Sequence, residues 1–205
     1  MAVSDYRVNG VSLTYEFFRS LKWPRHHPSR RDIAARLYRT IVLQARCPTF
    51  YRTLKIKDTV DGRFELLVLH LFMFLHSFRT DPDFKPLVQA IMEEMVEDLD
   101  RALRELGVGD LIVGRNVKNM VKTIYRRLEN YGACHETGKD SWRRALSDIF
   151  YLDNGSSNHV ELRRLFDYTQ DCRRTMFGRP LEDVLTGKLI FPSLPEDEWH
   201  GMHDS

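Results

Sequence analysis

Apolar residues recur at spacings of three and four along most of the chain. Ile33, Leu37 and Ile41 mark one helix, with Ser29 as its cap and Asp32 three positions on, ending near Arg46 just before Pro48. Phe84, Leu87, Val88, Ile91, Met95, Leu99, Ala102, Leu103 and Leu106 mark a second, started by Asp81-Pro82 and ended by Gly107. Val117, Val121, Ile124 and Leu128 predict a third over about 115–131, and further helices follow at 141–152, 158–177 and, briefly, 180–185. No run of alternating apolar and polar residues argues for a sheet. The pattern predicts an all-α, single-domain helical bundle.

One segment breaks the amphipathic rule. Leu66 to Leu75 is apolar except for His70, and it lies directly behind Asp61, Arg63 and Glu65 in a chain whose mean hydropathy is -0.42. A helix apolar on every side is surrounded by other helices, so this one should be the centre of the bundle, with its charged start at the surface. It has about half the length that a membrane span requires. Thr59 or Asp61 is positioned to cap it, and Gly62 permits a tight approach. The connector before it carries Phe50, Tyr51, Leu54 and Ile56, too apolar for a solvated loop. Residues 1–28 read as a short aromatic helix (Val11 to Lys22) with a basic linker, 29–192 as the helical domain, and 193–205 as an acidic, mobile tail.

Composition narrows the functional classes. The 205 residues carry 31 Lys plus Arg against 29 Asp plus Glu, and a net charge of +2 implies no wholesale binding of nucleic acid. Cys47, Cys134 and Cys172 are far apart and form no CxxC, which argues against a disulfide framework or a structural zinc and for a reducing compartment. The start lacks the apolar core of a secretory signal. Gly107, Gly109 and Gly114 do not have the spacing of a dinucleotide loop, so they read as a helix connector. His70 and His76 are rotated by roughly 240° on one helix, too far apart to share a metal, and read as satisfied or surface histidines. The cluster Glu93, Glu94, Glu97, Asp98 has no E-x-x-H companion and reads as a solvated face. With no HExxH, GxSxG or Walker loop, the residues argue for no enzyme, no cofactor and no metal.

The basic residues are patterned. Arg-Arg pairs stand at 30–31, 126–127, 143–144, 163–164 and 173–174, and Arg115, Lys118, Lys122 and Arg126 form a stripe along one helix. They suit RNA, anionic lipid or an acidic partner; equally, the basic helix could lie against the acidic face of its predecessor. Pairs Glu97 to Arg101 and Asp100 to Arg104 are expected within that predecessor.

Three ordered segments, "LYRTIVLQARCPTFY" (37–51), "DTVDGRFELLVLH" (58–70) and "EDLDRALRELGVGDLIVGRNVKNM" (97–120), resemble those of the ubiquinol-cytochrome c chaperone family, the assembly factors of the respiratory bc1 complex. The likeness runs from about Ser29 to Tyr131, with a weaker echo at "LTGKLIFP" (185–192) and a poor match over 154–177. The family pattern carries over to Gln44, Arg46, Pro48, Phe50, Tyr51, Asp58, Asp61, Gly62, Arg63, Phe64, His70, Asp98, Asp100, Arg104, Gly107, Gly109 and Asp110 as candidate motif or partner-binding residues. The resemblance implies a non-catalytic chaperone for newly made cytochrome b, acting at the inner face of an energy-transducing membrane, on the bacterial cytoplasmic or the mitochondrial matrix side. It implies a small co-chaperone, ribosome or RNA contact, and peripheral membrane association. The alternative is a permanent accessory subunit of a respiratory membrane complex or of the mitochondrial ribosome, motivated by the divergent last third.

Overall fold

Proline and capping residues set most of the helix boundaries. In the computed structural model, which describes residues 7–8, 11–12, 28–152 and 159–194, helices α1 (Pro28–Ala45) and α2 (Pro48–Arg52) both begin at a proline, which has no N–H to leave unpaired there. Helix α3 (Val60–Ser77) is capped by Thr59, whose Oγ1 accepts from the Gly62 N–H at 3.1 Å. Asp81 accepts from the Asp83 N–H over a single 3₁₀ turn (Pro82–Phe84) that leads into α4 (Lys85–Glu105). Helices α5 (Asp110–Thr137), α6 (Lys139–Phe150), α7 (His159–Phe177) and α8 (Leu181–Leu185) follow.

The bundle is all-α, and α3 is its hub. Leu66, Val68, Leu69, Leu71, Phe72, Phe74 and Leu75 are completely buried, each contributing about 2 kcal/mol of burial. Phe72 stacks among Tyr131 and Trp142 at 5.3 and 5.5 Å, and Phe74 meets Phe84 edge-on at 5.3 Å. These rings answer the question the apolar segment raises: α3 is oily all round because α1, α5, α6 and α7 all pack on it.

Helices α3 and α5 run side by side in the same direction. Glu65 meets Arg127, Phe72 meets Tyr131, and His76 meets His135. The first half of α5 therefore extends past the start of α3. There it packs with the end of α4 as a hairpin, which positions the exposed turn described below.

Several details differ from the sequence pattern. α1 begins at Pro28, so Ser29 lies in its first turn and does not precede it. α5 starts at Asp110, five residues earlier than its apolar spacing suggests, because Gly109 accepts the first hydrogen bonds, from Ile112 at 2.8 Å and Val113 at 3.1 Å. Glu97 turns to Arg31 of α1 and leaves Arg101 to Asp98. Two short strands, β1 (Arg7–Val8) and β2 (Val11–Ser12), pair antiparallel where a helix from Val11 was expected. The remainder of that expected helix, and the tail from residue 195, lie outside the described residues.

Candidate functional site

The sequence-flagged residues gather into three clusters. The first is buried against α3. His70 Nδ1 donates to the Leu66 carbonyl at 2.7 Å, which fixes the tautomer and leaves Nε2 to accept from the Tyr168 hydroxyl at 2.8 Å. Gln44 Nε2 donates to the same hydroxyl at 2.9 Å. Phe50 packs edge-on to His70 and Tyr168 at 5.1 and 5.2 Å, and Phe191 closes on His70 at 5.2 Å. Burial pushes the His70 imidazole down to about 4, and burial raises the Tyr168 phenol far above its usual range. Gln44, Phe50 and His70 thus tie α1, α2, α3 and α7 together. The C-terminal segment that echoes the family supplies Phe191 as the lid of this knot.

The second cluster is the elbow before α3. Arg63 grips Asp58 with two nitrogens, at 2.6 and 3.2 Å, and its guanidinium lies 5.8 Å from the Tyr51 ring centre. Tyr51 donates to the Ala45 carbonyl at 2.8 Å. Hydrogen bonding from Arg63 holds the exposed Asp58 carboxyl below its ordinary value. A Cβ on Gly62 would stand 2.0 Å from the Lys57 carbonyl oxygen, so no side chain fits. Arg46 belongs to this elbow electrically, since its charge reaches Tyr51. Arg46, Pro48 and Asp61 are exposed and Phe64 is half-buried, so this cluster has an accessible face; Leu43 and Val60, close by in sequence, are exposed too.

The third is the turn between α4 and α5. Gly107 adopts φ +78°, and its N–H donates to the Arg104 carbonyl at 2.9 Å while that of Val108 donates to Leu103 at 3.1 Å, a Schellman closure. Arg104 clamps the turn, bonding Asp100 at 2.6 Å on one side and Asp110 on the other. Asp98 stands apart, accepting from the Tyr38 hydroxyl at 3.1 Å and from Arg101. The turn is open: Leu106, Leu111 and Ile112 are 69, 96 and 52 % exposed.

Polar pairings that the sequence did not foresee fasten the bundle elsewhere. Arg127 forks onto Glu65 at 2.7 and 3.0 Å where both are partly shielded from water, Arg31 reaches Glu94 and Glu97 from α1, and Trp142 Nε1 donates to Thr169 at 2.9 Å. The acidic face of α4 is thus engaged by α1 in these contacts. Arg143 covers the Phe166 ring at 4.7 Å, and Arg174 pairs with Asp171, so these Arg-Arg pairs divide between internal contacts and solvent. Arg115, Lys118, Lys122 and Arg126 all face outward on α5.

His76 departs from the satisfied or surface reading. It is only 7 % exposed, its Nδ1 finds no hydrogen-bond partner among the described residues, and its ring stands 4.6 Å from that of His135. Burial, reinforced by Arg79, His135 and Arg173, drives it down to about 3. The three cysteines are free thiols; burial pushes Cys172 up to about 12, away from nucleophilic use. Among the described residues no group of three or more His, Cys, Asp or Glu is placed to hold a metal ion, and no helix is long and apolar enough to cross a membrane.

Packed aromatic knots and clamped turns, each joining helix to helix, define a helical scaffold whose accessible chemistry lies on its surface. A family model described as Ubiquinol-cytochrome C chaperone matches residues 52–191. The chain belongs to the ubiquinol-cytochrome c chaperone family, whose members are assembly chaperones and not enzymes. It is also similar to the crystal structure of the Cbp3 homolog from Brucella abortus, with 30 % identity, a TM-score of 0.71, and coverage of 87 % of this chain and 96 % of that one. No curated protein matches. The family match begins after Gln44, Arg46, Pro48, Phe50 and Tyr51, and it runs on through 154–177, the stretch read from sequence as matching poorly.

Proposed function

We propose that the chain is a non-catalytic assembly chaperone of the cytochrome bc1 complex that holds newly made cytochrome b at the inner face of an energy-transducing membrane. The observation that carries this reading is the family match over 52–191, supported by the likeness to the Brucella abortus homolog. A chaperone of this kind needs surfaces that bind a client without altering it. The elbow offers one: Arg46, Asp61 and Arg63 are exposed there, close in sequence to the exposed Leu43 and Val60, on a frame in which no side chain fits at Gly62. A small co-chaperone and a ribosome contact belong to the same reading. The alternative reading is a permanent accessory subunit built on the same fold.

Affinity isolation of the tagged chain in mild detergent tests the proposal. The expected catch is cytochrome b without its mature partners, in less than stoichiometric amount. Stoichiometric recovery with the finished complex or with ribosomes would favour the accessory subunit instead.

A further inference from the structure

Past α8 the chain runs without a helix from Gly187 to Leu194, and burial alternates along it: Leu189, Phe191 and Leu194 are buried, Ile190 and Ser193 exposed. That alternation marks an extended segment laid on a surface. Gly187 turns the chain at φ +83° against Arg36 of α1, whose Nε would stand 3.1 Å from a Cβ there. Phe191 then meets the His70 ring of α3 edge-on at 5.2 Å. Four extended residues span about 13 Å. About the same length of α1 separates Arg36 from Gln44, which shares the Tyr168 hydroxyl with His70. The segment therefore lies as a strap over α3 beside α1, where α1 and α7 each pack on α3 but scarcely on one another.

What holds this strap is almost entirely apolar. Lys188 anchors its start: the N–H donates to the Asp183 carbonyl at 2.9 Å, and Nζ stands 3.7 Å from the Asp183 carboxylate. Beyond that anchor, Leu189 to Leu194 make no backbone hydrogen bond to other described residues. A segment with three buried side chains and no hydrogen-bond ladder lies at the low end of a protein's local stabilities. Its seat is built without it. Gln44, Tyr168, His70 and the Leu66 carbonyl bond to one another, and Phe50 packs on both His70 and Tyr168. A preformed apolar seat that takes an extended aliphatic-x-aromatic sequence suits a peptide of the same pattern.

We infer that the strap Leu189–Leu194 occupies a client groove, and that its release opens the surface between α1, α3 and α7 to an extended apolar segment of an unassembled membrane protein. In that segment an aliphatic residue and an aromatic one two positions on take the seats of Leu189 and Phe191. The inference rests on the chaperone reading above and assigns it a client groove. An acidic or strongly polar partner finds no match here, because the seat is aromatic and its hydrogen bonds are already made.

A labelled peptide of the strap's own sequence, LIFPSL, tests it by fluorescence anisotropy against the full chain. The control peptide has serine in place of both leucines and the phenylalanine. The wild type should bind LIFPSL weakly because its strap competes, and Leu189→Ser with Phe191→Ser, which empties the seat, should bind it at least about tenfold more tightly. Ile190→Ser, at an exposed position, should behave as wild type. A second readout uses the wild type alone: LIFPSL, which has no tryptic site, should speed trypsin cleavage after the exposed Lys188 severalfold, since cleavage requires a released strap. Equal binding of both peptides, no gain in a double variant that keeps its helical circular dichroism, or a tryptic rate unmoved by LIFPSL would each overturn the inference. Neither assay contains cytochrome b. Captured cytochrome b that LIFPSL fails to release in mild detergent would overturn the groove and leave the proposed function standing, whereas a wild type that binds LIFPSL but never captures cytochrome b contradicts the proposed function.

Discussion

At the start of α3, Asp58 and Arg63 bracket Gly62; at the α4–α5 turn, Arg104 and Asp110 bracket Gly107. The two turns share an ion pair and a glycine but differ in what surrounds them. Gly62 has the Lys57 carbonyl where its Cβ would be, and the helix that follows is the most buried in the molecule. Gly107 is needed for its left-handed φ; no atom of the described residues lies within 4 Å of where its Cβ would be, and its flanking aliphatic residues are exposed. The elbow is fixed by what it touches, and the tip is shaped by backbone geometry and left bare. A conformationally demanding turn is therefore no guide to burial, and the tip is the end with surface to spare.

Substitutions at the two turns test the contrast. Gly62→Ala should have the largest effect, since a 2.0 Å approach cannot be relieved without moving the α3 cap; a loss of about 3 kcal/mol in urea denaturation is expected. Next comes acid. The His70 imidazole is held at about 4 in the folded chain against 6.5 as its ordinary value, so the folded state binds the proton less tightly than the unfolded one. Its stabilising contribution is complete above pH 6.5 and is lost as pH falls through the window from 6.5 to about 4, at about 1.4 kcal/mol per pH unit. His76, held at about 3, adds a loss of the same sign. In His70→Leu the stability profile below pH 6.5 should flatten by one proton's worth, and an unchanged slope would show that the ring is not held neutral.

At the tip the effects shrink. Gly107→Ala should cost about 1 kcal/mol because alanine resists φ +78° although it meets no atoms. Gly114→Ala, inside α5 with open space around it, should reverse sign and stabilise by up to about 1 kcal/mol. Leu111→Ser should change stability by less than about 0.5 kcal/mol. A large loss there would mean the tip is packed and would erase the difference between the turns.

Much of the architecture was legible because it depends on local pattern. The apolar run, interrupted at His70 alone, marked α3 as the hub, and Asp81-Pro82 and Gly107 marked the limits of α4. What stayed hidden depends on contacts between distant residues. Tyr168 accepts from Gln44 and donates to His70 across separations of 124 and 98 residues, so a single sequence could flag two members of the knot and not the third. Arg31 finds Glu97 across 66 residues, which is why the local pairing with Arg101 looked sufficient. His76 was misplaced because an all-apolar helix does not reveal which neighbour will cover which side. The family-pattern residues were found from resemblance, but whether each one fastens helices or faces a partner is visible only in three dimensions: Gln44, Phe50 and His70 do the first, while Arg46 and Asp61 are free to do the second.

On the proposed function, this scaffold serves the making of another complex. The direct measurement is the amount of mature bc1 complex, read from its b-type haem absorbance and by native electrophoresis, in cells deleted for the chain and in the same cells complemented. The complex is expected to fall severalfold, with cytochrome b unassembled or degraded, and to return on complementation. A normal level of mature complex in the deleted cells would contradict it.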